Sequence, residues 1–364
     1  MGSLHPGDFA KDADFSVDVA SQPEDIQSLE REWRMLHRAD PDSGIFLGFD
    51  WISALIERKK AEPRIYVIRD GLGRAVCILP LYDKPYRSRT TGRTERVLYP
   101  AGRLSLSEYT GFLCKPGMES RALQMLARYM ANEDWYRLSI RYEPTGRRAE
   151  IFANAFSRQH FRVSWPEYLI NKGTTDCLTC PVLALPGDFD TYLSKSIGRA
   201  TRKNFRRARR KHLRSGELQI SSPSPSRIQQ DIDITLSLWK AQWSPELGNS
   251  RVKSSLRRYA DFLDLAAQQD ALLINVIRRG DQPLAAHASL MDLGSKRIIC
   301  KISTRDPDEA TPVGLLLDMH QIEWAIDNHF KAFDFGHGNA AYKYSFGAVD
   351  QPLKYLKIRR RSGQ

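Results

Sequence analysis

The first half of the chain alternates between strand-like and helix-like spacing of its apolar residues. Residues 15–20 (FSVDVA) alternate as a strand, whereas Pro23 opens a segment with an apolar residue every three or four positions. This spacing predicts a helix with one buried face. Two apolar runs on either side of Gly71-Leu-Gly73 predict a β-hairpin. Further segments of both kinds continue to about residue 184.

A second series of elements begins at Pro186. Residues 189–216 read as one long helix that Gly216 closes in the left-handed position. The elements predicted after it are helices at 227–243 and 251–268, three antiparallel strands within 271–304, a helix at 313–329, the strand AFDF at 332–335, a glycine-rich turn, and the strand LKYLKI at 353–358. Turns at Gly280-Asp281 and Gly294-Ser295 separate the three strands.

Both series contain helices, a meander of strands, one further helix and another strand, which predicts two similar domains. We predict an α/β (α+β) fold in which each domain is a mixed, mostly antiparallel sheet flanked by helices. The predicted divisions are a polar tail at 1–14, an N-terminal domain at 15–185, and a C-terminal domain at 186–364 with a basic helix at 190–215. A chain of 364 residues is long enough for two domains of about 150 residues.

Composition narrows the class of protein. Apolar residues make up 41% and charged residues 27% of the chain, which favours a globular protein over a disordered one. No apolar run approaches the ~20 residues of a membrane span, and the N-terminus lacks a signal-peptide pattern, so we expect a cytoplasmic protein. The pair Cys177-Leu-Thr-Cys180 has no second pair to complete a zinc site, so we predict no metal.

The positive charge is concentrated in one segment. Lys195 to Arg214 accounts for ten of the twelve units of net positive charge, and no acidic residue lies between Asp190 and Glu217. Ten like charges repel one another, which favours an anionic partner over a merely solvated surface. The predicted anion- or membrane-binding residues are Arg199, Arg202, Lys203, Arg206, Arg207 and Arg210.

Three partners compete for this segment. We rank an anionic membrane or anionic acceptor first, because clustered Lys and Arg each contribute about 1 kcal/mol at such a surface. Coenzyme phosphates come second. Nucleic acid comes third, because only Phe205 lies within the basic run to stack on bases.

The start of the helix at 313–329 is a candidate phosphate site. Pro312 stands where a missing N–H costs little, and Gly314 lets a ligand approach the free N–H groups of the first turn. Every helix has such an end, so by itself this start is more simply a packing feature.

The order of these parts resembles that of the GNAT-type acyltransferases. The chain is more closely similar to the CelD/BcsL-like acetyltransferase family, relatives of the Fem-type aminoacyltransferases. The residues that carry the resemblance are Trp33, the segment 49–51, Leu79-Pro80-Leu81, the basic segment with Arg202, Asn204, Arg206 and Arg207, Thr311-Pro312-Val313-Gly314, and Asp334 through Lys343. The last of these lies in the turn FDFGHGNAAYKYSFG at 333–347.

The resemblance implies acyl-CoA, either acetyl-CoA or a longer-chain thioester, as co-substrate and no metal. It implies a coenzyme pyrophosphate on the first turn of the 313–329 helix and a pantetheine arm between the strands at 296–304 and 332–335. The implied coenzyme-binding residues are Thr304, Pro312, Val313, Gly314, Leu315 and Lys343. Family members commonly show Gly-Asp-Glu-Pro-Tyr-Lys where this chain has Gly338-Asn-Ala-Ala-Tyr-Lys343, so the acidic pair is absent.

Acyl transfer from a thioester needs a base for the acceptor and a proton donor for the leaving thiolate. His337 and His287 are candidate bases, Asp334 is a candidate for the missing acid, and Tyr342 is a candidate donor. A lone histidine within a strand is more often a core residue, and the alternative role for the Tyr342 ring is packing against the last strand. A competing scheme uses Cys300 as a nucleophile, although buried inert cysteine is commoner and no partner histidine is evident from the sequence.

We therefore expect an enzyme, a GNAT-type N- or O-acyltransferase that moves an acyl group from acyl-CoA to an amine or hydroxyl of a lipid, glycan or amino-acid derivative. It would be cytoplasmic, with peripheral contact at the inner membrane face as an option. One alternative is a Fem-type enzyme that takes its aminoacyl group from charged tRNA. The other is a non-catalytic nucleic-acid-binding protein. The sequence leaves open the acyl length, the acceptor and the oligomeric state.

Overall fold

The structure, a computed structural model, describes residues 15–87, 92–144 and 146–361. The predicted polar tail at 1–14 lies outside the described residues. The chain divides into two compact units, one formed by residues 1–178 with 352–364 and the other by residues 179–351. Each unit has its own sheet.

The first unit is built on an eight-stranded sheet. Its strands are β1 (Phe15–Ala20), β2 (Glu62–Asp70), β3 (Ala75–Arg87), β4 (Thr94–Pro100), β5 (Leu113–Cys114), β6 (Arg137–Glu143), β7 (Phe161–Ser164) and β17 (Lys354–Arg360), with a separate small ladder of β8 (Leu169–Ile170) and β9 (Thr175–Asp176). Its helices are α1 (Pro23–Ser28), α2 (Glu30–Ala39), α3 (Phe49–Lys59), α4 (Glu119–Ala131) and α5 (Arg147–Asn154). The strand order is β1-β2-β3-β4-β6-β17-β7, and β5 pairs with β3.

In the first unit, the residues that the apolar spacing of the sequence places on one face are buried in the structure. Trp33 and Leu36 of α2 are buried, as the three-to-four spacing predicts, and β2 and β3 form the predicted antiparallel hairpin. Asp40, which ends α2, holds the buried Arg148 guanidinium through two contacts of 2.7 and 2.8 Å. A bidentate pair of this kind fixes the end of the helix against the start of α5.

The predicted C-terminal domain at 186–364 needs correction. Strand β17 pairs antiparallel with β6 and β7 and so belongs to the sheet of the first unit. The division between the units falls after Leu178, ahead of the predicted boundary at residue 185. Strand-like periodicity identifies β17 as a strand but carries no information about which sheet accepts it.

The second unit is built on a seven-stranded sheet with the order β11-β12-β13-β14-β15-β10-β16. Its strands are β10 (Thr179–Ala184), β11 (Gln219–Ile220), β12 (Leu272–Arg279), β13 (Gln282–Asp292), β14 (Arg297–Arg305), β15 (Ala332–Asp334) and β16 (Val349–Pro352). Its helices are α6 (Phe189–Thr191), α7 (Arg199–Ala208), α8 (Ile228–Leu247), α9 (Asn249–Gln268), α10 (Val313–Asp327) and α11 (Ala341–Tyr344). The meander β12–β14 is antiparallel, and β14 and β15 run parallel.

The predicted single helix at 189–216 is interrupted. Ile197 is extended, at φ −110° and ψ 148°, and its buried side chain lies in the core of the second unit. Gly347 approaches the chain at this break so closely that a Cβ there would lie 2.3 Å from the Ser196 carbonyl oxygen. This tertiary contact outweighs the local helical preference. Gly216 does lie in the left-handed region at φ +79°, as predicted.

The fold class is as predicted: two units, each with helices on a mixed, mostly antiparallel sheet. In the part of the chain that the structure describes, no helix is both long enough and apolar enough to cross a membrane.

Candidate active site

Strands β14 and β15 separate shortly after they meet. Their parallel pairing covers only Arg297–Ile299 of β14 and Ala332–Asp334 of β15. Strand β14 then continues to Arg305 along β13, while β15 ends and Phe335 donates to the Pro181 carbonyl oxygen of β10 at 3.0 Å. The two strands therefore diverge from Cys300 onward, and this divergence is here called the cleft.

Helix α10 begins at the open end of this cleft, because it connects the end of β14 to the start of the parallel strand β15. Pro312 is the residue before its first turn. The Val313 N–H donates to the Thr311 carbonyl oxygen at 2.7 Å, whereas no described residue accepts from the N–H of Gly314 or Leu315. A Cβ on Gly314 would meet open space. Two of the three predicted N–H donors are thus available to an anion.

The loop before α10 is held by the carboxylate of Glu309. Glu309 lies 2.9 Å from the Arg279 guanidinium and accepts from the Thr311 N–H at 2.7 Å. The hydrogen bonds from Arg279 and then Thr311 lower the pKa of Glu309 to about 2, so it is ionised at neutral pH. These contacts fix the chain at the point where the helix starts.

Three side chains under α10 form a Cys–His–Asp arrangement. The Nε2 atom of His287 on β13 lies 2.7 Å from the Cys300 Sγ on β14. On the other side of the ring, His287 Nδ1 lies 3.0 Å from Oδ1 of Asp318 on α10. All three are buried, with exposed fractions of 0%, 7% and 5% for His287, Cys300 and Asp318. The Nδ1 atom has no well-aligned hydrogen-bond acceptor, so its contact with Asp318 is electrostatic in this state.

A polar network fixes the strand that carries His287. Gln321, one turn after Asp318 on α10, donates to the His287 carbonyl oxygen and to Asn275 Oδ1, both at 3.0 Å. Its Oε1 accepts from the Ser289 hydroxyl at 2.7 Å. Gln321 and Ser289 are fully buried and Asn275 nearly so, and a satisfied buried network of this kind restricts movement of the groups it joins.

The charge state of His287 follows from its neighbours. Burial alone lowers the pKa of a histidine, but the interactions with the Cys300 sulfur and the Asp318 carboxylate raise the pKa of His287 to about 10. The imidazole is therefore protonated at neutral pH in this arrangement.

Tyr342 on α11 faces the same cluster. Its ring packs edge-on against Phe335 with centroids 6.5 Å apart, and 47% of the residue is exposed. Burial around the hydroxyl, followed by the electrostatic interactions with Cys300 and Asp318, raises the pKa of Tyr342 above its ordinary value. The phenol stays protonated at neutral pH and is able to donate a proton.

The glycine-rich turn is held together by two of its own predicted site residues. Asp334 is fully buried and accepts from the Gly336 N–H at 2.8 Å. The buried Lys343 ammonium donates to the carbonyl oxygens of Gly336 and His337, both at 3.0 Å. These contacts give Lys343 a structural role in the turn, and its predicted contact with a coenzyme phosphate stays a prediction. His337 lies half-buried between Gly336 at φ +67° and Gly338 at φ +97°.

Thr304 does not share the face of the sheet that carries His287. Thr304 pairs with Ala286 and His287 pairs with Ser303, so successive side chains point to opposite faces. The Thr304 hydroxyl donates to Gln242 of α8 at 2.9 Å. The predicted coenzyme contact through this side chain is therefore corrected.

The sequence interpretation missed Asp318 and the partnership of His287 with Cys300. A register shift in the β13–β14 pairing moves from Ser289 opposite Cys300 to Ala288 opposite Ile302, which leaves Lys301 as an extra residue. The alternation of apolar and polar residues in the sequence does not reveal this bulge. A usable signal for Asp318 was present, since it is a lone carboxylate in the apolar run VGLLLDM.

The basic segment forms an exposed face on α7 and the π-turn that follows at Arg209–Leu213. Phe205 and Ala208 are buried, and Arg209 pairs with Glu323 of α10 at 3.2 Å. Arg202 caps the preceding turn by donating to the carbonyl oxygens of Leu193 and Ser194. The exposed basic residues, here called the basic face, are Arg199, Lys203, Arg206, Arg207, Arg210 and Lys211. None of these six forms a salt bridge with a described acidic residue.

A separate groove of about 570 Å³ lies between α8 and the loop after β14. Ile234 and Leu238 of α8 and Pro283 of β13 are among its lining residues. None of the predicted site residues lines it.

Part of the second unit matches a known family. Residues 199–344 match a family described as an acetyltransferase (GNAT) domain. None of the curated proteins matches this chain.

Solved structures share the fold over nearly the whole chain. FemX superposes with a TM-score of 0.55 at 11% identity, covering 90% of this chain and 95% of its own. A tandem GNAT protein from the clavulanic acid biosynthesis pathway gives 0.51 at 11% identity, covering 96% and 99%. The C-terminal domain of a putative lysylphosphatidylglycerol synthetase from Agrobacterium fabrum gives 0.51 at 9% identity, covering 92% of each chain. These similarities confirm the predicted GNAT-like fold.

Proposed function

Residues 199–344 form a GNAT acetyltransferase domain, and from this premise we propose that the protein transfers an acyl group from acyl-CoA to an amine or hydroxyl acceptor. The observation that carries the proposal is the separation of β14 from β15 at Cys300, with the start of α10 at the open end. A thioester coenzyme has an extended arm and an anionic end, and this cleft supplies a strand edge for the first and helix N–H donors for the second.

The coenzyme phosphates would rest on the N–H groups of Gly314 and Leu315, because these donors have no acceptor among the described residues. The arm would run along β14 towards Cys300. That orientation brings the thioester to the cluster of His287, Cys300 and Asp318, where the neighbouring groups raise the pKa of His287.

In this scheme His287 exchanges the acceptor proton, and Tyr342 protonates the leaving thiolate. The protonated phenol beside the cluster supports the second role. The predicted base His337 lies in the turn after β15 and stays a candidate for contact with the acceptor.

The basic face favours an acceptor that is anionic or lies in an anionic membrane. Six exposed cations without described acidic partners attract an anionic surface or headgroup. They lie on α7 and the π-turn after it, and this turn is tied to α10 through Arg209 and Glu323. Acceptors of this kind include anionic lipids, lipid-linked glycans and acidic amino-acid derivatives.

The test is binding and turnover with full-length protein. We expect CoA and acetyl-CoA to raise the melting temperature, and we expect release of free CoA thiol from acetyl-CoA or palmitoyl-CoA in the presence of an amine acceptor. Stabilisation by tRNA together with no effect of CoA would instead favour a Fem-type aminoacyl-tRNA-dependent transferase. Steep salt-dependent binding to nucleic acid, with no response to CoA, would favour the non-catalytic alternative.

A further inference from the structure

We infer that Cys300 is a catalytic nucleophile, and that the acyl group passes through a thioester on this residue before it reaches the acceptor. The inference rests on the proposed function, since it takes acyl-CoA as the donor. The observation behind it is the arrangement of Cys300, His287 and Asp318, which come from β14, β13 and α10.

The arrangement has the order of contacts that nucleophilic catalysis needs. One ring nitrogen of His287 contacts the Cys300 sulfur at 2.7 Å, and the other lies 3.0 Å from the Asp318 carboxylate. A base that touches the nucleophile and is oriented by an acid on its far side is the general signature of an activated thiol or hydroxyl. A histidine with only a core-packing role would need neither the sulfur nor the carboxylate.

The cysteine also lies at the point where a thioester would arrive. Cys300 is the first residue of β14 after its pairing with β15 ends. The other cysteine of the second unit, Cys180, lies on β10, which borders β15 on the side away from β14.

Electrostatics agrees with this geometry. A cationic imidazole within 2.7 Å of a cysteine sulfur favours the thiolate, which is the nucleophilic form of cysteine. The Asp318 carboxylate in turn stabilises the imidazolium, and the Gln321 network holds the strand that carries it.

The reaction balances in two half-steps. In the first, the Cys300 thiolate attacks the acyl carbonyl carbon, the bond to the CoA sulfur breaks, and the leaving thiolate takes the proton of His287. In this two-step route His287, rather than Tyr342, is the proton donor to the leaving thiolate. In the second, the acceptor amine or hydroxyl attacks the Cys300 thioester and gives its proton to His287. The bond to the Cys300 sulfur then breaks and the thiolate is restored. No oxidant, reductant or metal is needed.

The test uses two donors and no acceptor. Full-length protein is incubated with acetyl-CoA or with 4-nitrophenyl acetate, an activated ester that does not depend on coenzyme recognition. We expect intact-mass spectrometry to show one added acetyl group, peptide mapping to place it on Cys300, and hydroxylamine to remove it. Cys300→Ala should give no adduct, and the matched variant Cys180→Ala, with a buried cysteine in the same unit, should be acylated as the wild type is.

The outcomes separate the nucleophile from the proposed function. If Cys300→Ala transfers the acetyl group from acetyl-CoA at the wild-type rate, Cys300 is not the nucleophile, although acyl-CoA is still the donor. If 4-nitrophenyl acetate acylates Cys300 but no acyl-CoA reacts, Cys300 is a nucleophile and the proposal that acyl-CoA is the donor is wrong. No adduct from either donor on folded wild-type protein would overturn the inference.

Asp318 is a positioning residue in this scheme, because it acts through His287. A folded Asp318→Asn variant should alkylate with iodoacetamide at least tenfold more slowly than the wild type at pH 6, where an isolated thiol is almost fully protonated. Unchanged alkylation rates in Asp318→Asn and His287→Gln would show that the contacts serve packing alone.

Discussion

Asp318 and His287 meet across the space between a helix and a sheet, with the carboxylate oxygen Oδ1 3.0 Å from the ring nitrogen Nδ1. Both residues are buried, and their elements, α10 and β13, are separated in sequence by β14 and the loop that follows it. A carboxylate without a partner would be costly at this depth, so the pair stabilises the helix on the sheet and at the same time orients the imidazole.

Asp318→Asn should reduce acyl transfer by ~10²- to 10⁴-fold while the protein stays folded, because the amide no longer favours the ring tautomer and charge that the reaction needs. Steady-state rates with acetyl-CoA measure the change, and circular dichroism checks the fold. Asp327→Asn, at the end of the same helix, is the matched control and should keep the wild-type rate. A variant at Asp318 with full activity would contradict the assigned role.

The raised pKa of His287 predicts that the stability of the protein depends on pH. Its pKa in the folded protein is about 10, above the ordinary 6.5, so its contribution is fully present below pH 6.5 and is lost as pH rises through about 10. The wild-type free energy of unfolding should therefore fall across this interval more steeply than that of His287→Gln. Urea titrations at several pH values measure both slopes, and parallel curves would show that His287 is not protonated in the folded state.

Gly347→Ala should destabilise the second unit by about 2 kcal/mol or more, because Gly347 has φ +85° and its added methyl would collide with the Ser196 carbonyl oxygen. Thermal and urea unfolding measure the loss. Gly187→Ala is the matched control, since a Cβ there meets no atom within 4 Å, and it should leave the stability nearly unchanged. Equal stability of the two variants would mean that the chain relaxes freely at the break.

Gly314→Asp should weaken coenzyme binding without lowering the stability of the protein. An aspartate in the first turn of α10 complements the helix dipole, so the melting temperature should stay level or rise. The same negative charge repels phosphate, so the Kd for CoA should increase at least tenfold in calorimetry. Gly314→Ala adds only a methyl group in open space and should have a smaller effect. Wild-type affinity in Gly314→Asp would place the phosphates elsewhere.

Charge reversal tests the basic face. The triple variant Lys203→Glu, Arg206→Glu and Arg207→Glu should lose at least tenfold in binding to vesicles that contain phosphatidylglycerol, measured by sedimentation, since each cation contributes about 1 kcal/mol. The control reverses three exposed cations of α9, Arg251, Lys253 and Arg257, and so changes the net charge equally. If both variants lose binding to the same degree, net charge rather than the basic face is responsible.

Local patterns in the sequence were sufficient for the elements around the candidate site. The β12–β14 meander, with its turns at Gly280 and Gly294, and helix α10 after Pro312 follow from alternation, turn residues and helix-start preferences that act within a few residues. The predicted fold class is confirmed for the same reason, because the order of such elements restricts how they pack.

What the sequence could not supply depends on contacts between distant residues. The break at Ile197 depends on the approach of Gly347, and the placement of β17 depends on which sheet has an open position. The Cys300–His287 contact depends on the bulge at Lys301, which puts Cys300 and Ser303 on one face although they are three residues apart. Each of these is decided by long-range geometry that periodicity does not record.

Because β17 belongs to the first sheet, the first unit is completed only when the end of the chain has been synthesised. The first unit is interrupted in sequence, and its sheet lacks the strand between β6 and β7 until residues 354–360 have left the ribosome. At the junction, the Leu353 N–H donates to the Leu178 carbonyl oxygen at 2.7 Å, so the points of departure and return lie side by side. The segment between them is an insertion whose removal, with a short linker in its place, would leave the first unit with every strand it needs.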